Sequence, residues 1–337
     1  MIYNILVAFK NELNGSLHHD SCSDWKYPAL SHPEIGRMPK KSGDTMTSRS
    51  VLLWNTHVWC RELEEEFEKF LKLDYPGSPE VWLVLDANIP QARDLVRKYE
   101  RSYIIDEKDL FRRLAYPQVE GLGILHHSHF PVLDFFLSHH DYDYYWFIEF
   151  DVRYTGDWGS FLRSFDSFGH DLITSHIRTF SEEPYWQWWN TLHHPIKKIN
   201  RNECLRSFNV IFRISNRALN FIHQEQRDGW QGFNEISLPT LLHHGGYRIM
   251  DFGGDGNFTP PRLQNKTYTS HGLKNGLLNP FCTMRWRPSR YKPGRQRDKL
   301  YHSVKPRSMI EPQGERMRYL YIWLMNFVRY HLLKRTT

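Results

Sequence analysis

Tyr144-Tyr145-Trp146-Phe147-Ile148 is an unbroken apolar run that ends at Glu149-Phe150-Asp151. A run without polar alternation suits a central strand covered on both faces, because neither face meets water. Two carboxylates one residue apart, just past such a strand, point the same way. The stretch therefore predicts a buried strand that delivers a pair of acids to the edge of a sheet.

The pattern repeats outward from this run. Upstream, Val51-Leu52-Leu53-Trp54 stops at Asn55-Thr56-His57, and Val81-Trp82-Leu83-Val84-Leu85 stops at Asp86-Ala87-Asn88. Between them Leu63, Phe67, Phe70 and Leu71 recur at helical spacing, with carboxylates on the opposite face. Further helices are expected over 91–100 and 130–138, and a short strand over 103–105. Downstream, strands are expected over 172–175 and 210–214, with helices over 216–226 and 234–244, the latter capped by Gly245-Gly246 before Tyr247-Arg248-Ile249-Met250. Strands alternating with helices predict an α/β fold with a mostly parallel central sheet flanked by helices. Ligands of such sheets gather at the carboxyl ends of the strands, where Asn55, Asp86 and Glu149–Asp151 all fall. Four segments follow: a strand and loop-rich extension (1–50), the sheet-bearing domain (51–260), basic loops rich in Gly, Pro, Arg and Asn (261–310), and an amphipathic C-terminal helix (311–337).

Composition narrows the partners. Aromatic residues make up 15% of the chain, with 12 Trp, and such rings fill cores or form platforms for sugars and bases. The formal charge is +6, but the basic surplus gathers in one late segment, 285–297. A nucleic-acid binder would carry broader basic stripes, so no specific nucleic acid is expected. Cys22, Cys60, Cys204 and Cys282 form no CxxC pair, which predicts a reducing compartment, the cytoplasm. Cys60 as a nucleophile is disfavoured by the acidic helix that carries it. No apolar run reaches the roughly 18 residues of a membrane span, and the start lacks the features of a secretory signal. The basic loop and the amphipathic tail, with Leu320, Leu324 and Phe327 on one face, suggest peripheral association with the inner face of a membrane. No phosphate-cradling GxGxxG or GxxxxGK[ST] loop occurs.

Paired carboxylates past a strand suit a hard divalent cation, which takes oxygen ligands and keeps positions open for phosphate oxygens. Such a cation stabilises the charge that develops on a departing diphosphate. The same acids also fit a strand-end turn that caps the helix beginning near Trp158.

The stretch from Tyr144 to Val152, with Arg153-Tyr154-Thr155-Gly156 after it, resembles the core motif of a family of uncharacterised proteins related to GT-A glycosyltransferases. In that family an aromatic strand ends in an acidic, D-x-D-like, metal-binding element followed by R-Y-T-G. The resemblance extends over roughly residues 50–306, taking in Phe212-Arg213-Ile214-Ser215-Asn216-Arg217 and Leu300-Tyr301-His302-Ser303-Val304-Lys305. It implies a GT-A-like, Rossmann-like sheet with long C-terminal active-site loops. It implies that Asp151 is the main metal ligand, with Glu149 standing where many GT-A enzymes have Asp. By position, Asn55, Thr56 and Asp86 would meet the base and ribose of a nucleotide-sugar donor, or form ordinary strand-end turns. A third metal ligand would arrive on a late loop as His302, with His271 as its rival, and Lys305 would lie near the diphosphate. The metal would be Mn2+ or Mg2+, an imidazole ligand favouring the former.

Glu235, in Gly232-Phe233-Asn234-Glu235, resembles the acidic element beside the acceptor site of inverting GT-A enzymes and would be the catalytic base; a first-turn glutamate favoured by the helix dipole is the other reading. Trp186, Trp188 and Trp189 would stack on an acceptor sugar or pack in the core. The expected activity is transfer of a sugar from a nucleotide-diphosphate sugar to a glycan or lipid-linked acceptor. A carbohydrate- or nucleic-acid-binding protein without catalysis and a metal-dependent hydrolase are the alternatives. Sugar-nucleotide pyrophosphorylases share this sheet but carry a Gly-rich, basic turn after the first strand, where this chain has Asn55-Thr56-His57-Val58-Trp59.

Overall fold

The aromatic run is the central strand of a mostly parallel sheet. The computed structural model describes residues 48–184, 186–269, 282–285 and 289–310. The chain divides into two units, Met1–Met46 and Thr47–Thr337, and all described residues belong to the second. In chain order its elements are β1 (Ser50–Thr56), α1 (Arg61–Leu71), β2 (Glu80–Asp86), α2 (Ala92–Lys98), β3 (Ser102–Ile105), α3 (Glu107–Leu114), α4 (His129–Ser138) and β4 (Tyr144–Glu149). There follow β5 (Arg153–Tyr154), α5 (Trp158–Arg163), β6 (Leu172–Thr179), β7 (Leu205–Ser215), α6 (Asn216–Asp228), α7 (Asn234–His244), β8 (Ile249–Asp251) and β9 (Leu300–Tyr301).

Seven strands form one sheet in the order β3-β2-β1-β4-β7-β6-β8, and β5 pairs with β9 in a separate ribbon. Only β7 runs against its neighbours in the large sheet. Alternation along the strands divides the core between the two faces. Leu52, Trp54, Trp146 and Ile148 pack with α1 and α5 through Leu63, Phe67, Phe70, Trp158 and Phe161. On the other face Val51, Leu53, Tyr145 and Phe147 pack with α3, α4, α6 and α7. Helices thus cover both sides, which is why β1 and β4 are apolar without a break.

Two departures from the sequence reading have physical causes. The strand expected over 210–214 is eleven residues long, Leu205–Ser215, and buried throughout. Arg206, Ser207 and Asn209 disguised its first half as loop. The helix α3 was not expected, because its eight residues bury only Leu110 and Leu114. Its start is held by Asp106, whose side chain accepts from the Asp109 amide at 2.9 Å. The extension and strand expected before residue 48, His271, and the helix expected over 311–337 lie outside the described residues. Among the described residues no helix is long and apolar enough to cross a membrane.

The order of strands locates a crevice. From β1 the chain lays β2 and β3 on one side, then returns to place β4 on the other. In open α/β sheets such a reversal of strand order marks the crevice where ligands gather, at the carboxyl ends of the two strands. Asn55 lies opposite Glu149 in the parallel register. Beyond that edge the β6–β7 pair projects further. Ile148 pairs with Ile211, while Thr179 pairs with Leu205 at the far end.

Candidate metal centre

Glu149 and Asp151 leave β4 into this crevice, and the local chain is clamped from several sides. The Phe150 amide donates to the Asn55 carbonyl at 2.9 Å, which ties the turn to β1. Arg153 is buried and donates to the carbonyls of Phe150 and Val152. Its Nε also lies 3.6 Å from Glu66 on α1. One guanidinium thus holds the backbone on both sides of Asp151, a task its fixed fork of donors suits.

The residues after Arg153 dock the late loop. Tyr154 and Arg153 pair with Leu300 and Tyr301 across the β5–β9 ribbon. Thr155 donates through Oγ1 to the Gln296 carbonyl at 2.7 Å, and its amide meets the Lys299 carbonyl at 3.0 Å. Gly156 allows this approach, since a Cβ there would collide with the Asp298 carboxylate and lie 2.7 Å from the Tyr154 ring. The Val304 amide then donates to the Asp151 carbonyl at 2.8 Å. Arg153-Tyr154-Thr155-Gly156 is therefore a docking strip that carries the segment from 296 onward to the acids.

His302 arrives by this route. Its Nε2 lies 3.2 Å from Asp151 Oδ1 and 3.8 Å from Glu149 Oε2. One ligand atom from each of the three lies within 4.8 Å of the others. Asp151 and His302 are each 4% exposed, whereas the Glu149 side chain keeps 25% of its surface. Phe208 of β7 packs its ring 5.1 Å from the imidazole and fixes its orientation. Neighbouring ligands on a cation with bonds of about 2.1 Å stand about 3 Å apart, so these separations suit a shared ion. Two oxygens and one nitrogen also leave coordination positions open.

Residues 104–172 are similar to a family described as a protein of unknown function (DUF3405). That stretch holds the end of β3, α3, α4, β4 and the docking strip, but not His302. The comparison with curated proteins found no match.

The remaining predicted residues fall into three groups. Asn55 borders the acids, and Lys305 follows Val304, whose amide reaches the Asp151 carbonyl. Asn55 is half-buried opposite Glu149, and the Lys305 amide donates to the Arg290 carbonyl at 2.8 Å. Asp86 and Thr56 shape their own turns. Asp86 Oδ1 accepts from the amide and side chain of Asn88 at 2.7 and 2.9 Å. Thr56 is buried, with its hydroxyl exchanging hydrogen bonds with the backbone of Val58. The third group, the tryptophans and Glu235, lies at the start of β7 and α7. Trp189 is a core residue, 5% exposed, with its indole N–H donated to the Glu183 carbonyl at 2.8 Å. Trp186 and Trp188 are half-buried against Phe233, and Trp188 also meets the His126 ring.

Two features escaped the sequence reading. His57, after β1, sets its ring edge-on to Phe150 with centroids 4.8 Å apart. The residue is exposed, yet crowding of the ring lowers its pKa below the usual imidazole range, with Lys305 acting in the same direction and Asp151 and Asp86 opposing. His57 therefore feels charges from β2, β4 and the late loop together.

The second feature is a buried charge network. Arg206 Nη1 lies 2.8 Å from Glu183, its Nη2 lies 3.5 Å from Glu235, and its guanidinium stacks 4.4 Å from the Trp186 ring. Glu183 also meets His176 at 2.8 Å and Arg285 at 3.7 Å. Burial pushes Arg206 down to about 10, so it stays protonated at neutral pH. Burial likewise pushes His176 down to about 3, leaving it neutral. Against the penalty of burial, Glu183 is held well below the usual carboxylate range. With His176 neutral, the guanidiniums of Arg206 and Arg285 carry that effect. The signal in the sequence was a pair of arginines, Arg206 and Arg213, flanking the apolar centre of one strand, since a buried guanidinium needs acceptors nearby; Arg206 finds carboxylates and Arg213 finds carbonyls.

Proposed function

We propose that this chain transfers a sugar from a nucleotide-diphosphate sugar to a glycan or lipid-linked acceptor, as a GT-A-type, divalent-metal-dependent glycosyltransferase. The observation that carries the reading is the meeting of Glu149, Asp151 and His302 at the β1–β4 crevice. Asp151 and Glu149 would supply oxygen ligands and His302 a nitrogen, a set that suits Mn2+ better than Mg2+. The bound cation would supply charge stabilisation for the departing diphosphate.

The chain's own residues divide the remaining work. Asn55, Asp86 and His57 line the mouth of the crevice from β1 and β2, where a nucleotide base and ribose would rest. Lys305 brings a positive charge beside the acids. Glu235, on the first turn of α7, is the acceptor-side base in this reading, and Arg206 orients its carboxylate. Trp186 and Trp188, half-buried beside Glu235's helix, are the rings that would meet an acceptor sugar in this reading.

The test is a panel of nucleotide sugars with Mn2+, read by thermal shift and by release of nucleoside diphosphate. A donor-dependent, metal-dependent signal is expected, and Asp151→Ala should abolish it while the fold survives. No signal from any donor with metal supplied would overturn the reading. Sugar release that needs no acceptor would instead point to a hydrolase on the same carboxylates.

A further inference from the structure

Residues 290–307 carry seven Lys and Arg side chains against one carboxylate, Asp298. That surplus of six equals the formal net charge of the whole chain, so the rest of the molecule is balanced. Arg290, Lys292, Arg295, Arg297 and Arg307 are exposed. Among the described residues no carboxylate forms an ion pair with Lys292, Arg295, Arg297 or Arg307. Like charges gathered this closely repel one another, and an anionic surface relieves that repulsion.

The segment is a fixed tab. The β5–β9 pairing and Thr155 hold it on one side. Lys299 Nζ donates to the carbonyls of Asn265 and Lys266, and Tyr301 Oη accepts from the Gln296 amide at 3.2 Å. The exposed cations are thus carried on an ordered base. Tyr291, 51% exposed, stands among them, with the Arg307 guanidinium 4.5 Å and the Lys292 ammonium 5.9 Å from its ring. An exposed tyrosine flanked by cations suits the headgroup layer of a bilayer, where its ring and hydroxyl meet different surroundings and the cations meet lipid phosphates. A nucleic acid tracked along its backbone would favour a longer stripe. His302 and Lys305 follow a few residues later on the same segment.

We propose that residues 290–307 are a docking tab for the headgroups of an anionic lipid bilayer, which brings the crevice to substrates held at that surface. The proposal does not depend on the transfer reaction. The test is co-sedimentation of the full chain with vesicles of phosphatidylcholine alone, or with about a quarter phosphatidylserine. Binding is expected only to the anionic vesicles and should weaken as salt screens it. Replacing Lys292, Arg295 and Arg297 together by Ala should weaken binding about a hundredfold, near fivefold for each charge. An unchanged melting temperature would show that the variant is folded. Tyr291→Ala should give a smaller loss. Equal binding to neutral vesicles, full binding by the triple variant, or tighter binding to an oligonucleotide than to anionic vesicles would each overturn the proposal.

Discussion

At the β1–β4 crevice two carboxylates and an imidazole face one another. At the start of β7, Glu183 and Glu235 are interleaved with Arg206 and Arg285. Both clusters are largely buried and both combine acids with a histidine, but their charge order differs. Alternating signs satisfy one another inside the protein, and an added ion gains nothing there. Carboxylates brought together raise the energy of their ionised forms, and a cation set between them lowers it. Under the proposed reading the crevice would receive a cation, whereas the β7 network holds itself. The bond from Arg206 to Glu235 extends that rigid network to the first turn of α7.

The largest effect should come from breaking the closed network. Arg206→Met leaves two buried carboxylates without their shared guanidinium, at an expected loss of about 3–5 kcal/mol in denaturant unfolding. In the crevice the corresponding cut should behave in the opposite way. Asp151→Ala should leave the metal-free protein about as stable as before. The wild type should gain about 2.7 kcal/mol when Mn2+ is a hundredfold above its Kd, and the variant should gain none. A similar gain in the variant would remove Asp151 from the ligand set.

Acid should sharpen the contrast next. His176 has a folded-state pKa of about 3 against an ordinary 6.5, so the unfolded chain binds more protons between those values. Stability should therefore fall as pH drops from about 6.5 toward 3. Glu183, held low in the fold, adds loss in the same direction as pH falls through its folded-state pKa. His176→Gln should flatten the pH dependence by up to about 1.4 kcal/mol per pH unit, measured as unfolding midpoints across that range. An unchanged slope would show that His176 does not contribute.

The smallest effect concerns the support beneath His176, whose backbone takes a left-handed φ of 55° at an irregularity in β6. Its amide donates to the Tyr268 hydroxyl at 2.7 Å, and that hydroxyl is bonded to Asp251. Tyr268→Phe removes this bridge and should cost about 1 kcal/mol, with metal-dependent stabilisation unchanged. A lost metal response would mean that the two clusters are coupled.

Much of the fold was legible because it rests on short-range patterns. The apolar runs of β1 and β4 announced central strands, and helical spacing announced α1. Leu205–Ser215 was half-hidden because its polar residues find partners only in three dimensions: Asn209 donates to Asn234, and Arg206 meets Glu183 and Glu235. Trp189 and Thr56 could be read either as ligand contacts or as structural residues. Their bonding partners in the fold, the Val58 backbone for Thr56 and the Glu183 carbonyl for Trp189, could not be read from the sequence.

Glu149 and Asp151 were legible as a pair because two acids past one strand are a local fact of the chain. The sequence also made His302 a candidate, but a separation of some 150 residues carries no distance. Its approach to Asp151 depends on strand pairing between Arg153 and Tyr301, on the Thr155 bonds and on the space left by Gly156. Local order follows from neighbouring side chains, whereas the meeting of distant ones follows from which surfaces pack together.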